Sequence, residues 1–272
     1  MIKWELVRVT PELAAKWLGK NDVNRKLREH RCAFIARSIE DQKWVTTHQA
    51  IAFSKSGRLL DGQHRLRAVI MANKAIEIWV ATNVPDEAFQ VMDSGLPRKM
   101  YERLNSDPRR TAIATTLFRV VGPRPIPHEY EIQLLLDMLE PAFVRLEAIP
   151  KAMKPSKVTK ASVLAAAVLR IAGTKPGSVA HTTILDSVGR LVAGDLSGSS
   201  RVIVSLYRQL VEGVNTQGSS NSTNDVFCRA FYALDPKNSA INKIILKDLS
   251  GPLSEARKVF ADLSEDVFEE AA

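Results

Sequence analysis

Strand-like sequence is confined to the first hundred residues of this chain, and helical periodicity takes over after the run "LNSDPRR" at 104–110. That change of texture limits the fold to a small mixed unit followed by a helical one, with a boundary expected near Ser106–Arg110. In the first part, "TPELAAKWLGK" reads as a short helix, capped by Thr10 with Pro11 at its first position. "LREHRCAFIARSIEDQKW" spaces Phe34, Ile35, Ile39 and Trp44 as an amphipathic helix does. "HQAIAFSKSGRLLDG" predicts two short strands joined by a turn at Ser54–Gly57, and "AIEIWVATNV" predicts a further strand. Between them "QHRLRAVIMANK" predicts a helix that starts immediately after Gly62. "PDEAFQVMDSG" opens with Pro85 and acids, as a helix start does, and ends at Gly95.

Beyond residue 105 the runs "RTAIATTLFRVVG", "PHEYEIQLLLDMLEPAFVRLEAIPKAM", "TKASVLAAAVLRIAG", "HTTILDSVGRLVAG", "SSRVIVSLYRQLVEG" and "TNDVFCRAFYALD" predict successive helices. "TQGSSNSTND" at 216–225 reads as the most loop-like stretch, and the acidic end "LSEDVFEEAA" as frayed. No internal repeat occurs. The expected fold class is α+β: an amino-terminal α/β domain over 1–105 and an all-helical domain over 106–272.

Of the 272 residues, 45% are hydrophobic and 25% charged, an ordinary soluble globular mixture. No stretch approaches the roughly 18 uncharged apolar residues of a membrane helix, and the first twenty residues lack the apolar core of a signal peptide. Cys32 and Cys228 lie far apart with no metal-ligand spacing, which fits a reducing, cytoplasmic setting. The net charge of +8 is uneven. Residues 1–105 hold 18 Lys and Arg against 12 Asp and Glu, a net of +6, and the rest hold 20 against 18, a net of +2. A basic first half points to a polyanion such as nucleic acid or nucleotide phosphate, with scattered surface lysines as the plain alternative.

The run "LLDGQHRLRAV" at 59–69 carries the most chemistry. A strand that enters a glycine and leaves as a helix aims backbone N–H groups and the positive end of the helix dipole at one point. Gly62 allows close approach, with the backbone of Gly62 and Gln63 as donors. His64 and Arg65 can add donors to phosphate oxygens, and Asp61 can hold a metal or act as a base. The structural alternative is that Asp61 caps the helix, Gly62 only makes the turn, and Arg65 and Arg67 are solvated. His48 reads as a surface residue, Asn24 and Arg25 as a loop that can close over a ligand, and Glu40 and Asp41 as helix-end residues. Trp17, Trp44 and Trp79 read as core or interface aromatics, because none interleaves with basic residues as a single-strand platform does.

"LLDGQHRLRAV" resembles the central motif of the ParB/sulfiredoxin superfamily, in particular its phage- and plasmid-associated branch with a DGQHR signature. "NRKLREHRCAFIARSIEDQKW" resembles the opening motif, and "DEAFQVMDSGLPRKMYERL" the third, with Asp93, Ser94 and Arg98 at its key positions. The resemblance covers about residues 5–105. It implies a nucleotide, ATP or CTP with Mg²⁺, at the strand–turn–helix. Its phosphates would be contacted by Gly62, Gln63, His64, Arg65, Ser94 and Arg98, with the metal near Asp61 and Asp93, and Asp61 and His64 as the catalytic pair. It also implies DNA association and a possible homodimer. The sequence departs from its relatives in instructive ways. Gln63 stands where sulfiredoxins carry a cysteine, Asp-Gly-Gln-His-Arg replaces the Gly-Glu-Arg-Arg of partition ParB, and Asp93-Ser94 replaces its Glu-Asn pair.

The expected function is that of a ParB-like, DNA-associated nucleotide-binding protein, an NTPase if it turns the nucleotide over. The alternatives are a phosphotransferase acting on a small molecule or modified base and a non-catalytic DNA-binding or interaction module. For DNA contact the candidates are 25–31 ("RKLREHR"), 107–111 ("DPRRT") and the helix of "KPSKVTKASVLAAAVLRIAG". That last helix reads either as a groove-reading element or as an ordinary bundle helix with a basic start.

Overall fold

The computed structural model describes residues 1–21, 27–90, 99–149, 157–211 and 222–269. The protein is α+β and mostly helical, with a four-stranded mixed sheet and twelve helices among the described residues. It divides into two compact units, Met1–Pro97 and Arg98–Ala272. The division precedes Ser106–Arg110 because the short helix α4 (Met100–Leu104) packs on the helices that follow it.

The first unit opens with β1 (Lys3–Val9), which turns into α1 (Pro11–Leu18) at Thr10. The Thr10 hydroxyl accepts the Leu13 N–H at 3.3 Å, and Pro11 takes the first helical position, where no N–H is needed. Next come α2 (Glu29–Glu40), β2 (Ile51–Ser54), β3 (Leu59–Asp61), α3 (Gln63–Ala72), β4 (Ile76–Val84) and a single 3₁₀ turn at Asp86–Gln90. The sheet order is β1-β4-β2-β3, with β4 parallel to β2 and both outer pairs antiparallel.

Helices α1, α2 and α3 cover one face of the sheet, where Val9, Ile51, Phe53, Leu66, Val69, Ile78 and Val80 form a closed core. On the other face Ala52, Leu60, Ala81 and Val84 form a smaller cluster. β1 is absent from the sequence reading. Its first four residues are all exposed, so no buried alternation announces it.

The second unit adds α5 (Pro108–Val121), α6 (Glu129–Met138), α7 (Glu140–Ala148), α8 (Ala161–Ala172), α9 (Val179–Ala193), α10 (Arg201–Val211), α11 (Thr223–Ala233) and α12 (Ser250–Glu269). The single helix expected over "PHEYEIQLLLDMLEPAFVRLEA" is two. The chain breaks at Leu139, and Pro141 lies in the first turn of α7. "LSEDVFEE", expected to fray, is helical through Glu269 because it continues α12, whose Ala256 and Phe260 are buried in the helical core. Of the loop-like stretch, Ser222 caps α11 and Thr223–Asp225 are its first turn; residues 216–221 lie outside the described residues. No helix among the described residues is long and apolar enough to cross a membrane.

α8 is the axis of this unit, buried from Ser162 to Ile171. Apart from its burial among apolar side chains, it is held by one charged residue. The Arg170 guanidinium stacks 3.6 Å from the Phe231 ring centre, donates to the Phe231 carbonyl at 3.0 Å, and pairs with Glu255 at 2.8 Å and Asp235 at 3.3 Å. One side chain thereby ties α8 to α11, to the turn after it and to α12. Replacing Arg170 with alanine leaves the shielded Asp235 carboxylate without its cation. The expected cost is about 3 kcal/mol of stability, read as an earlier midpoint in the denaturant titration of the helical signal.

Both cysteines are free and fully buried. Burial and the neighbouring Asp225 push the Cys228 thiol up to about 11, and burial together with Glu29 raises that of Cys32. Neither presents a reactive thiolate near neutral pH. A disulfide-exchange reagent should therefore titrate no thiol in the native protein and both in denaturant.

Candidate functional site

The corner where β3 meets α3 is built around Gly62. Its φ of +104° lies in the left-handed region, and an added Cβ would stand 2.9 Å from Ile51 Cγ1. Only glycine fits both demands. The turn sets Asp61 at the end of β3 and Gln63, His64 and Arg65 in the first turn of α3.

Each side chain of this run reaches a different part of the unit. One Asp61 oxygen accepts the Gly62 N–H at 2.6 Å, and the other accepts Arg65 Nη2 at 2.8 Å. Arg65 also donates to the backbone carbonyls of Gln49 and, at 3.1 Å, Ala50, immediately before β2. Its side chain is 14% exposed and that of Asp61 43%, so the pair presents its acid to solvent and its base to the interior. Gln63 is buried and accepts the Asn21 side-chain amide at 3.0 Å. His64 is buried, and its Nε2 accepts the Arg28 N–H at 3.2 Å. An imidazole that accepts at Nε2 carries its proton on Nδ1 and is neutral in that contact.

The five residues therefore fasten three segments to one corner: 49–51 through Arg65 and Gly62, Asn21 through Gln63, and Arg28 through His64. Of these partners, Arg28 falls within a DNA-contact candidate, and Gln49, Ala50 and Ile51 within the run read as two short strands. Gln49 and Ala50 act through backbone carbonyls and Asn21 through a lone amide, and no motif marks them.

α3's first turn brings its dipole to the same place, with N–H groups that have no acceptor within the helix. Its chemistry suits an anion. A metal ion fits less well, because both Asp61 oxygens already accept hydrogen bonds. Among the described residues, no three His, Cys, Asp or Glu side chains gather as a metal site. Asp93, Ser94 and Arg98, expected beside the phosphates, lie outside the described residues, as do Asn24 and Arg25.

The remaining candidates divide. His48 is exposed, Glu40 ends α2 and Asp41 caps it. Trp17 packs edge-on against Phe53 at 5.2 Å, and Trp44 donates to the Glu77 carbonyl. Of the DNA-contact runs, Arg31 and Arg109 are exposed. Arg110 is fastened to Glu147 through two hydrogen bonds and also to Glu140, which holds its guanidinium above the ordinary arginine range. The "TKASVLAAAVLR" helix is α8, whose burial removes it from any groove-reading role.

The first unit also has a cleft of about 630 Å³ at the tip of the β2–β3 hairpin, lined by Lys3, Lys20 and Lys55 beside Trp17 and Phe53. Its lining includes no residue of the Asp61–Arg65 run. Compared with protein-family models, curated proteins and solved structures, the chain has no significant match.

The corner makes a direct prediction. Gly62→Ala forces a strained φ and a clash with Ile51, and should cost about 1–3 kcal/mol. Arg65→Ala removes three contacts where Asp61→Ala removes two, so chemical denaturation of the two variants should rank Arg65→Ala as the more damaging.

Proposed function

We propose that residues 1–97 form a ParB/sulfiredoxin-like nucleotide-binding unit in a DNA-associated protein of the phage and plasmid type. ATP or CTP docks its phosphates at the first turn of α3. The observation that carries this reading is the left-handed Gly62 turn, pressed on Ile51, from which the N-terminus of α3 starts directly after a strand, with Gln63 and His64 held in its first turn. The basic charge of the unit, with three lysines on one cleft, supports an anionic partner.

In this reading the backbone of Gln63 and the His64 imidazole meet the phosphates, while Gly62, whose N–H is bonded to Asp61, shapes the turn and is no donor to them. Arg65 positions the corner through Asp61 and the carbonyls before β2. The resemblance assigns Ser94 and Arg98 of the third motif to the same phosphates. Mg²⁺ arrives with the nucleotide, held by its phosphates, and Asp93 is the acid that can join it. The helical unit supplies DNA contact or self-association.

A second reading has a specific observation behind it. Every polar side chain of the Asp61–Arg65 run is hydrogen-bonded within the unit, as expected if the run is a structural fastening of a binding module without nucleotide chemistry.

Calorimetric and thermal-shift titrations with ATP, CTP and GTP, each with Mg²⁺, separate the two. Saturable binding of one nucleotide, weakened about tenfold in Arg98→Ala and in a folded His64→Ala variant, is the expected result, and its turnover is then measured with and without duplex DNA. Absence of binding for all three by wild-type protein would leave the fastening reading. Arg65→Ala is a stability control here, because its loss disturbs the corner whether or not a nucleotide binds.

A further inference from the structure

We propose that β1 is a dimerisation edge: two copies of the chain pair antiparallel through β1, with Trp4 on the two-fold axis, and join their sheets into one of eight strands. This does not depend on the nucleotide reading. Among the described residues, β1 is hydrogen-bonded to β4 along one side and is the last strand of the sheet on the other. Its outer row of backbone N–H and C=O groups is therefore a template for a further strand.

From Ile2 to Leu6 one face of β1 is apolar and bare, and Arg8 ends that stretch on the same face. Trp4 is 57% exposed and Leu6 46%, Ile2 is exposed beside them, and Trp79, directly opposite Leu6 on β4, is 37% exposed. A contiguous patch carrying two tryptophans marks a contact surface. Lys3 and Glu5 point to the opposite face, at the mouth of the lysine cleft.

Charge then selects the register. Antiparallel pairing about a two-fold axis sets each residue opposite one on the same face of the second copy. Centred on Trp4, Lys3 lies opposite Glu5 twice, Ile2 opposite Leu6 twice, and Trp4 opposite its own copy. Centring on Lys3 or on Glu5 sets like charges against each other. Centring on Leu6 sets Glu5 against Val7 and Lys3 against Val9. Among these registers, the Trp4-centred one alone pairs both charges and keeps the apolar face continuous.

The test is covalent capture in the full chain. Residues directly opposite in an antiparallel pair have Cα atoms about 4.5–5.5 Å apart, within reach of a disulfide. Trp4→Cys should give a reducible dimer under mild oxidation, and Leu6→Cys should not. The native cysteines are buried and give no background.

Sedimentation equilibrium supplies the second arm. Lys3→Glu and Glu5→Lys should each weaken the dimer about tenfold, and the double exchange should restore it. Circular dichroism of each variant establishes that the fold is intact. A wild-type monomer at all concentrations, failure of Trp4→Cys to cross-link, cross-linking through Leu6→Cys in its place, or an unrescued double exchange would each overturn the proposal.

Discussion

The contact between Gly62 and Ile51 governs the first unit. Because no Cβ intervenes, the end of β3 passes directly against the start of β2, and α3 leaves at an angle that lays Leu66 and Val69 on the sheet. α3 then carries the chain to β4, which pairs parallel to β2 as well as antiparallel to β1. The parallel step at the centre of an otherwise antiparallel sheet thus depends on the corner. Arg65 holds it in place. The carbonyls of Gln49 and Ala50 precede β2, and the guanidinium supplies their donors while Asp61 balances its charge.

This arrangement decides which atoms a ligand can meet. Releasing Arg65 would strip donors from two backbone carbonyls and strand a carboxylate, whereas the N–H groups of α3's first turn need no rearrangement of Arg65 to meet an anion. A phosphate at this corner is therefore better served by the helix terminus and His64 than by the arginine that the motif displays most prominently. His64 enters such a contact as a neutral imidazole for as long as it accepts from Arg28, so its contribution is a hydrogen bond and not a charge.

Most of the elements were legible because their ends are written locally. Thr10-Pro11 and Gly62 each mark a boundary through a cap or a backbone restriction that acts within a few residues. What escaped has physical reasons. β1 is exposed on both faces along most of its length, so its alternation of charge and apolar bulk matches no buried stripe. The break at Leu139 interrupts a run whose apolar spacing continues across it, leaving Pro141 as its sole mark. The end of α12 is rich in acid, and its composition concealed a helix anchored by Phe260 further back. At the corner, the residues of the motif were legible and their partners were not. Asn21 contributes an amide, Arg28 a backbone N–H, and Gln49 and Ala50 carbonyls; such groups belong to every sequence.

Net charge is a count, and it does not reveal which cations are already neutralised. In the helical unit Arg103, Arg110, Arg124, Arg170, Arg190 and Arg229 all pair with carboxylates of the same unit. In the first unit Arg65 is paired and Arg58 and Arg67 lie near acids, but Lys3, Lys20 and Lys55 have no ion pair among the described residues. These lysines line one cleft together with Glu5, beside an aromatic pair, and Lys3 lies on the strand that also carries the exposed Trp4. Part of the first unit's unpaired positive charge therefore lies near the hairpin tip, on a cleft that no residue of the Asp61–Arg65 run lines.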